Sequence, residues 1–101
     1  MNSFEKSTQF DDWLRSLKDR TGKLRILARL TAAEQGSFGD CEPVGGGVFE
    51  MRIHSGPGYR IYDTGRDQSI YLLLIGGDKS TQKRDIRRAI ELAGILGKTR
   101  P

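Results

Sequence analysis

Apolar and polar positions alternate along this chain with periods that change several times, and each change marks an element. Phe10, Trp13, Leu14 and Leu17 fall at i, i+3, i+4 and i+7, which lays one stripe along a helix that begins near Thr8. Thr8 and Asp11 supply its cap, and Thr21-Gly22 its stop. A second helix is predicted from about Lys23 to Gln35, closed by Gly36. Leu24, Leu27, Ala28 and Thr31 lie on one side of it, and Ile26, Leu30 and Ala33 widen that side. Two helices joined by so short a turn are expected to pack as an antiparallel hairpin, with Trp13 and the leucines facing a sheet. Ahead of them, Phe4 marks a brief edge strand.

From Gly36 to Gly47 the chain is rich in turn residues and reads as a surface loop. At Val48–His54 the period becomes two, with Phe49, Met51 and Ile53 opposed to Glu50, Arg52 and His54. Gly56-Pro57-Gly58 is a turn. Tyr59–Asp63 alternates again, with Tyr59 and Ile61 opposed to Arg60 and Tyr62, and Gly65 to Gln68 is a second turn. Ile70–Ile75 is apolar without a break, the pattern of a strand covered on both faces. Gly76-Gly77 is read as a glycine turn at its end, with backbone N–H groups free to meet an anion and Lys79 beside them. A third helix follows, in which Asp78 and Ser80 serve as caps. Ile86, Ala89, Ile90 and Ala93 form its stripe, and Lys83, Arg84, Arg87 and Arg88 lie off it. The tail from about residue 97 is expected to be disordered. Helices followed by antiparallel strands and a last helix give an α+β fold.

The two alternating strands constrain one another. Residues paired directly in a hairpin share a face, so Arg52 and His54 join Arg60 and Tyr62 only if paired numbers sum to an even value. Two registers satisfy this. Arg52 lies opposite Arg60, or His54 lies opposite Arg60 with Arg52 opposite Tyr62. Like charges face to face repel, so the first register requires an anion between them.

Composition narrows the setting. A chain of 101 residues suits a single domain spanning 1–101, and 17 Lys and Arg against 13 Asp and Glu permit a polyanionic partner. One cysteine, Cys41, makes neither an internal disulfide nor a metal cluster, so the chain is expected in a reducing compartment, the cytoplasm, with no metal and no cofactor. No run is long enough to span a membrane. Gly76-Gly-Asp-Lys-Ser lacks the four-residue spacer of a phosphate-binding Walker loop. His54 is the one side chain whose ordinary pKa lies near neutrality. Arg52 and Lys79 add positive charge, and Tyr62 is suited to stack a base or to give up a proton if cations lower its pKa.

Taken together, Phe10-x-x-Trp13-Leu14, Gly36-Ser-Phe-Gly-Asp40, Val48-Phe-Glu-Met-Arg-Ile53, Gly56-Pro-Gly-Tyr-Arg-Ile-Tyr62 and Leu74-Ile-Gly-Gly-Asp-Lys-Ser-Thr-Gln82, with Asp85-Ile86 and Ala89 after them, form a recognisable series. It resembles the addiction-module killer proteins, HigB-like members of the RelE/ParE superfamily of bacterial toxins, from about residue 8 to 93. The resemblance implies a RelE-like fold and the toxin of a type II toxin–antitoxin pair, held by a helix-turn-helix antitoxin, in a heterotetramer. It further implies a metal-independent endoribonuclease that cleaves mRNA on the ribosome through the ribose 2′-OH. Arg60 resembles the family's strand arginine that holds the scissile phosphate. Catalytic roles then fall to Arg60, His54, Lys79 and Tyr62, and phosphate or RNA contacts to Arg52, Arg60, Lys79, Lys83 and Arg84. Two alternatives stand beside this: a gyrase-inhibiting toxin of the ParE kind, and a non-toxic corepressor that binds the antitoxin.

Overall fold

The computed structural model describes residues 1–96, so the expected disorder of the tail concerns residues outside that range. Five strands form one mixed sheet in the order β1 (Ser3–Lys6), β5 (Ile70–Asp78), β4 (Tyr59–Asp67), β3 (Val48–Ile53) and β2 (Cys41–Gly45). Only β1 runs parallel to its neighbour; the other pairs are antiparallel. The class is α+β, as the element order implied. β5 has strands on both sides and helices on both faces, which explains its unbroken apolar run. Leu73 enters one core with Phe10, Ile26, Leu30, Met51 and Ile61. Leu72, Leu74 and Ile75 enter the other, under Ala89 and Leu92 of α3 (Gln82–Leu96).

The two glycines after that run do not end the strand. Gly76 pairs with Ile61 and Gly77 with Arg60, so they sit inside the sheet ladder, where the expected anion-binding turn has no place. Their role is close approach. A side chain on Gly76 would overlap the Trp13 ring on one face, and one on Gly77 would overlap the Asp85 carboxylate on the other. One small-residue pair thus lets a helix settle on each side of the sheet.

The N-terminal helices depart from the expected hairpin. α1 (Thr8–Ser16) is capped by Ser7 rather than Thr8: the Ser7 hydroxyl accepts from Phe10 N at 2.9 Å and donates to Leu74 O at 2.5 Å. α2 (Arg20–Glu34) begins three residues early, because the Asp19 carboxylate accepts from Gly22 N at 3.0 Å and turns the supposed stop into a first turn. Only three residues separate the helices, and the chain does reverse between them. Tyr59 at the far end of β4 donates to Asp19 at the start of α2, while Glu34 at its end accepts from Asn2 N at 2.8 Å, but each helix sits over its own strand rather than chiefly on the other helix. α1 packs on β5 and α2 on β3. The face of α2 also differs. Gly22, Ile26, Leu30 and Ala33 are buried, whereas Leu24 and Leu27 are 66% and 39% exposed. A near-equal spread of apolar residues around α2 left its inward side undetermined by spacing alone.

The loop from Gly36 to Gly47 contains a strand. Gly36, with φ +98°, closes α2 through Gly36 N to Ala33 O and Ser37 N to Ala32 O, the paired bonds of a left-handed helix end. Cys41–Gly45 then adds to β3 as an edge strand, where Pro43 is tolerated because no further strand needs its missing N–H. Among the described residues no helix is long and apolar enough to cross a membrane.

Candidate functional site

The pairing of β3 with β4 follows the first of the two registers: Arg52 lies opposite Arg60, and Glu50 opposite Tyr62. The anion that this register requires is the chain's own. Glu50 is fully buried, and its Oε1 accepts from Arg52 Nε at 3.0 Å. Its Oε2 accepts from the Tyr62 hydroxyl at 2.9 Å and from Gln82 Nε2 at 2.9 Å, and lies 3.8 Å from Arg60 Nε. Alternation along β3 and β4 puts Glu50, Arg52, Arg60 and Tyr62 on the α3 side, and the first residue of α3 brings Gln82 down to them. Burial pushes the Glu50 carboxyl up, but hydrogen bonds from Gln82, Arg52 and Tyr62 and the Arg52 charge outweigh it and hold the group below its ordinary value.

Arg60 is only 7% exposed, although a side chain that holds a scissile phosphate has to be open to it, because β4 is an inner strand beneath α3. Its Nη1 donates to Gly58 O at 3.2 Å and Tyr59 O at 3.3 Å, and its Nε is buried without a hydrogen bond. Tyr62 has no exposed surface, so it is not available to stack a base. The expected lowering of its pKa is reversed: burial first, and then the bond to Glu50, push the phenol strongly upward. Arg52 is not free charge either, since Glu50, Glu42 and Asp40 all pair with it.

His54 turns away from this group. Its Nε2 lies 2.7 Å from Asp40 Oδ2, and it shares a shallow depression with Arg25, Ala28 and Arg29 of α2. The His54 hydrogen bond, opposed by partial burial and helped by the Arg52, His54 and Arg29 charges, keeps Asp40 below its ordinary value.

Lys79 stands where the sequence suggested, on a short 3-10 turn between β5 and α3. Asp78 caps that turn, its Oδ1 accepting from Ser80 N at 2.8 Å. With Thr81, Gln82, Lys83, Arg84 and Arg87 it lines an open hollow of about 490 Å³. Four of those side chains are cations, and among the described residues only Arg84 of the four has a carboxylate within reach, Asp85 Oδ1 at 3.6 Å. Gly58 joins the hollow to Arg60: a Cβ placed there would be 3.4 Å from Lys79 Cβ and 3.5 Å from Arg60 Nη1. The hollow therefore brings Lys79, Lys83 and Arg84 together, Arg60 lies beside Lys79 at Gly58 but outside the lining, and His54, Tyr62 and Arg52 are not available to them.

The chain is 47% identical over 88 residues to an uncharacterized protein of Haemophilus influenzae, an alignment that covers 87% of this chain and 89% of that one. The two belong to one family. No family model matches the sequence.

Glu50 and Gln82 are the site residues that spacing did not reveal. The signal for Glu50 was present: two arginines forced onto one face by strand phase need a carboxylate, and Glu50 is the acid on that face. Gln82 had none, because its contact joins positions 32 residues apart. Chemically, the hollow offers what a phosphodiester needs. It gathers flexible ammonium and guanidinium groups whose N–H donors suit phosphate oxygens, with the buried Arg60 guanidinium, paired to Glu50 at 3.8 Å, close beside Lys79 at Gly58. Among the described residues no group of three or more His, Cys, Asp and Glu is gathered to hold a metal ion.

Proposed function

We propose that this chain is a HigB-like toxin of the RelE/ParE superfamily, with the RelE-like fold, and that it cleaves mRNA on the ribosome in the cytoplasm until a helix-turn-helix antitoxin captures it in a heterotetramer. The observation that carries this reading is the meeting of buried Arg60 with exposed Lys79 across Gly58, at one end of the cationic hollow. In the reaction the ribose 2′-OH gives its proton to solvent water as its oxygen attacks phosphorus, the bond to the 5′ oxygen breaks and that oxygen takes a proton from water, leaving a 2′,3′-cyclic phosphate and a 5′-hydroxyl. Negative charge grows on the non-bridging oxygens, where Arg60 and Lys79 stabilise it, and Lys83 and Arg84 hold the neighbouring phosphates. Glu50 does not touch the RNA; it fixes the guanidinium of Arg60. This arrangement works by charge stabilisation, and His54 has no part in it.

A binding-only toxin that traps gyrase is favoured by one specific observation: neither His54 nor Tyr62 stands at the hollow to move a proton. Inducing the chain alone, and then together with its neighbouring gene, separates the two readings. Cleavage predicts new 5′ ends within translated codons and growth arrest that the neighbour relieves. Arrest without new 5′ ends, but with altered DNA supercoiling, favours the gyrase reading, and harmless expression removes both. Lys79→Ala is the informative variant because its side chain is exposed and pairs with no acid among the described residues, whereas Arg60→Ala empties a buried position and removes a cation from beside Glu50.

A further inference from the structure

The face of the sheet opposite α3 holds a second cavity, beyond the end of α2, with a volume of about 330 Å³. Phe38, Phe49 and Tyr71 form aromatic walls, and Cys41 and Asp63 supply its polar side chains; Glu42 borders it, but its carboxylate pairs with Arg52 on the other face. The register explains the grouping. Phe49 pairs with Asp63 on one side and Pro43 on the other, so their side chains share a face, while Gly65 opposite Tyr71 extends that face to β5. Phe38 and Tyr71 meet edge to face with centroids 5.3 Å apart.

Asp63 is the unusual member. It is 2% exposed, and its Oδ2 is buried with no hydrogen-bond partner. The other buried acids are provided for: Glu50 has three donors, and Asp85 accepts from the Thr81 hydroxyl at 2.5 Å. A buried carboxylate without a donor is costly enough that its retention calls for a partner from outside. The chain itself does not supply one. The nearby Arg29 guanidinium is already committed to the carbonyls of Arg52, Phe38 and Asp40.

We propose that this cavity binds a planar organic cation, an amidinium or guanidinium group, seated among Phe38, Phe49 and Tyr71 with its N–H groups donating to Asp63. The buried Asp63 carboxyl and the absence of any Lys or Arg from the lining select a cation over an anion. A planar fork matches a carboxylate in two parallel bonds, and aromatic walls favour a delocalised cation over a strongly hydrated ammonium. The volume suits a small ligand group. This site is on the other side of the sheet from Lys79 and does not depend on the nuclease reading.

Titration of the full chain with benzamidine, followed by amide chemical shifts, tests the proposal. Benzamidine at roughly 1 mM should shift the signals of Cys41, Phe49 and Tyr71, whereas benzamide, its neutral counterpart, should bind about tenfold more weakly or worse. Asp63→Asn should lose the same tenfold. Because that variant is expected to be more stable than the parent at neutral pH, lost binding there is not lost folding. The titratable groups facing Asp63 are Cys41 from β2 and Tyr71 from β5, with the always charged Arg29 of α2 at the edge of the cavity and tied to carbonyls; burial pushes the Cys41 thiol up, so it stays uncharged. Affinity should therefore rise between about pH 6 and pH 8 as Asp63 ionises. Nα-acetyl-arginine amide asks whether the cation comes from a peptide: tighter binding than benzamidine assigns an arginine side chain, weaker binding a small aryl amidine. No shift with either cation, equal binding of benzamide, or undiminished binding by Asp63→Asn overturns the assignment.

Discussion

Glu50 and Asp63 lie on adjacent strands of one sheet, both almost wholly removed from water, yet they ionise in opposite senses. Glu50 faces α3, where two arginines, a phenol and an amide surround it, and it is held below its ordinary pKa. Asp63 faces the opposite side, where aromatic rings surround it and Oδ2 finds no donor, and burial raises it from 3.8 to about 7. Surface exposure is nearly the same, but Asp63 is the more deeply enclosed of the two and has nothing to offset that burial. The count of donors and cations decides the outcome. The contrast also separates their roles: Glu50 is an internal counter-ion that completes the fold, and Asp63 is a group whose counterpart the fold does not contain.

The largest test of this contrast is Glu50→Ala, which leaves Arg60 buried without its carboxylate and Tyr62 and Gln82 without an acceptor. A loss of roughly 3–5 kcal/mol in unfolding free energy is expected, read by chemical denaturation. A neutral result would mean that the arginines do not need the anion. Next is the pH dependence of the parent protein. Because the folded pKa of Asp63 lies above its unfolded value, its penalty is absent below about pH 4, grows as the unfolded chain loses a proton that the folded chain keeps, and is complete near pH 7. Stability should therefore fall across that window, by at most roughly 4 kcal/mol. Glu50 has the opposite sign, and its contribution is lost only as pH drops through its depressed pKa. Asp63→Asn should abolish the decline between pH 4 and 7 and raise stability at pH 8 by roughly 1–3 kcal/mol, the rest being offset by a buried amide that lacks full hydrogen bonding. A flat profile in the parent would remove the distinction between the two acids. Smallest in stability is Lys79→Ala, which should leave the denaturation midpoint unchanged while abolishing whatever anion the hollow binds.

Several features could be read directly from the residues. The unbroken run at Ile70–Ile75 was a strand covered on both sides, and the alternation at Val48–Ile53 and Tyr59–Asp63 was two strands with Arg60 and Tyr62 on one face. Phase arithmetic left two registers and attached a condition to one of them, an anion between Arg52 and Arg60. That register is the one found, and Glu50 meets the condition. Other readings failed for identifiable reasons. α2 carries apolar residues around most of its surface, so its buried face follows from its seat on β3. Pro43 and the surrounding glycines hid β2, because an edge strand needs only half of its backbone groups. His54 and Tyr62 had suitable chemistry but not suitable surroundings.

What the order of residues determined by itself was periodicity, and with it most of the elements, the faces of β3, β4 and α3 and the sign of the charge at the start of α3, since these depend on neighbours a few positions apart. Which of those charges are spent within the fold was decided only in three dimensions. The partners of Glu50 come from β3, β4 and α3, the donor that Asp63 lacks is missing from every element around it, and no local pattern records contacts made or withheld between strands and a helix tens of residues away.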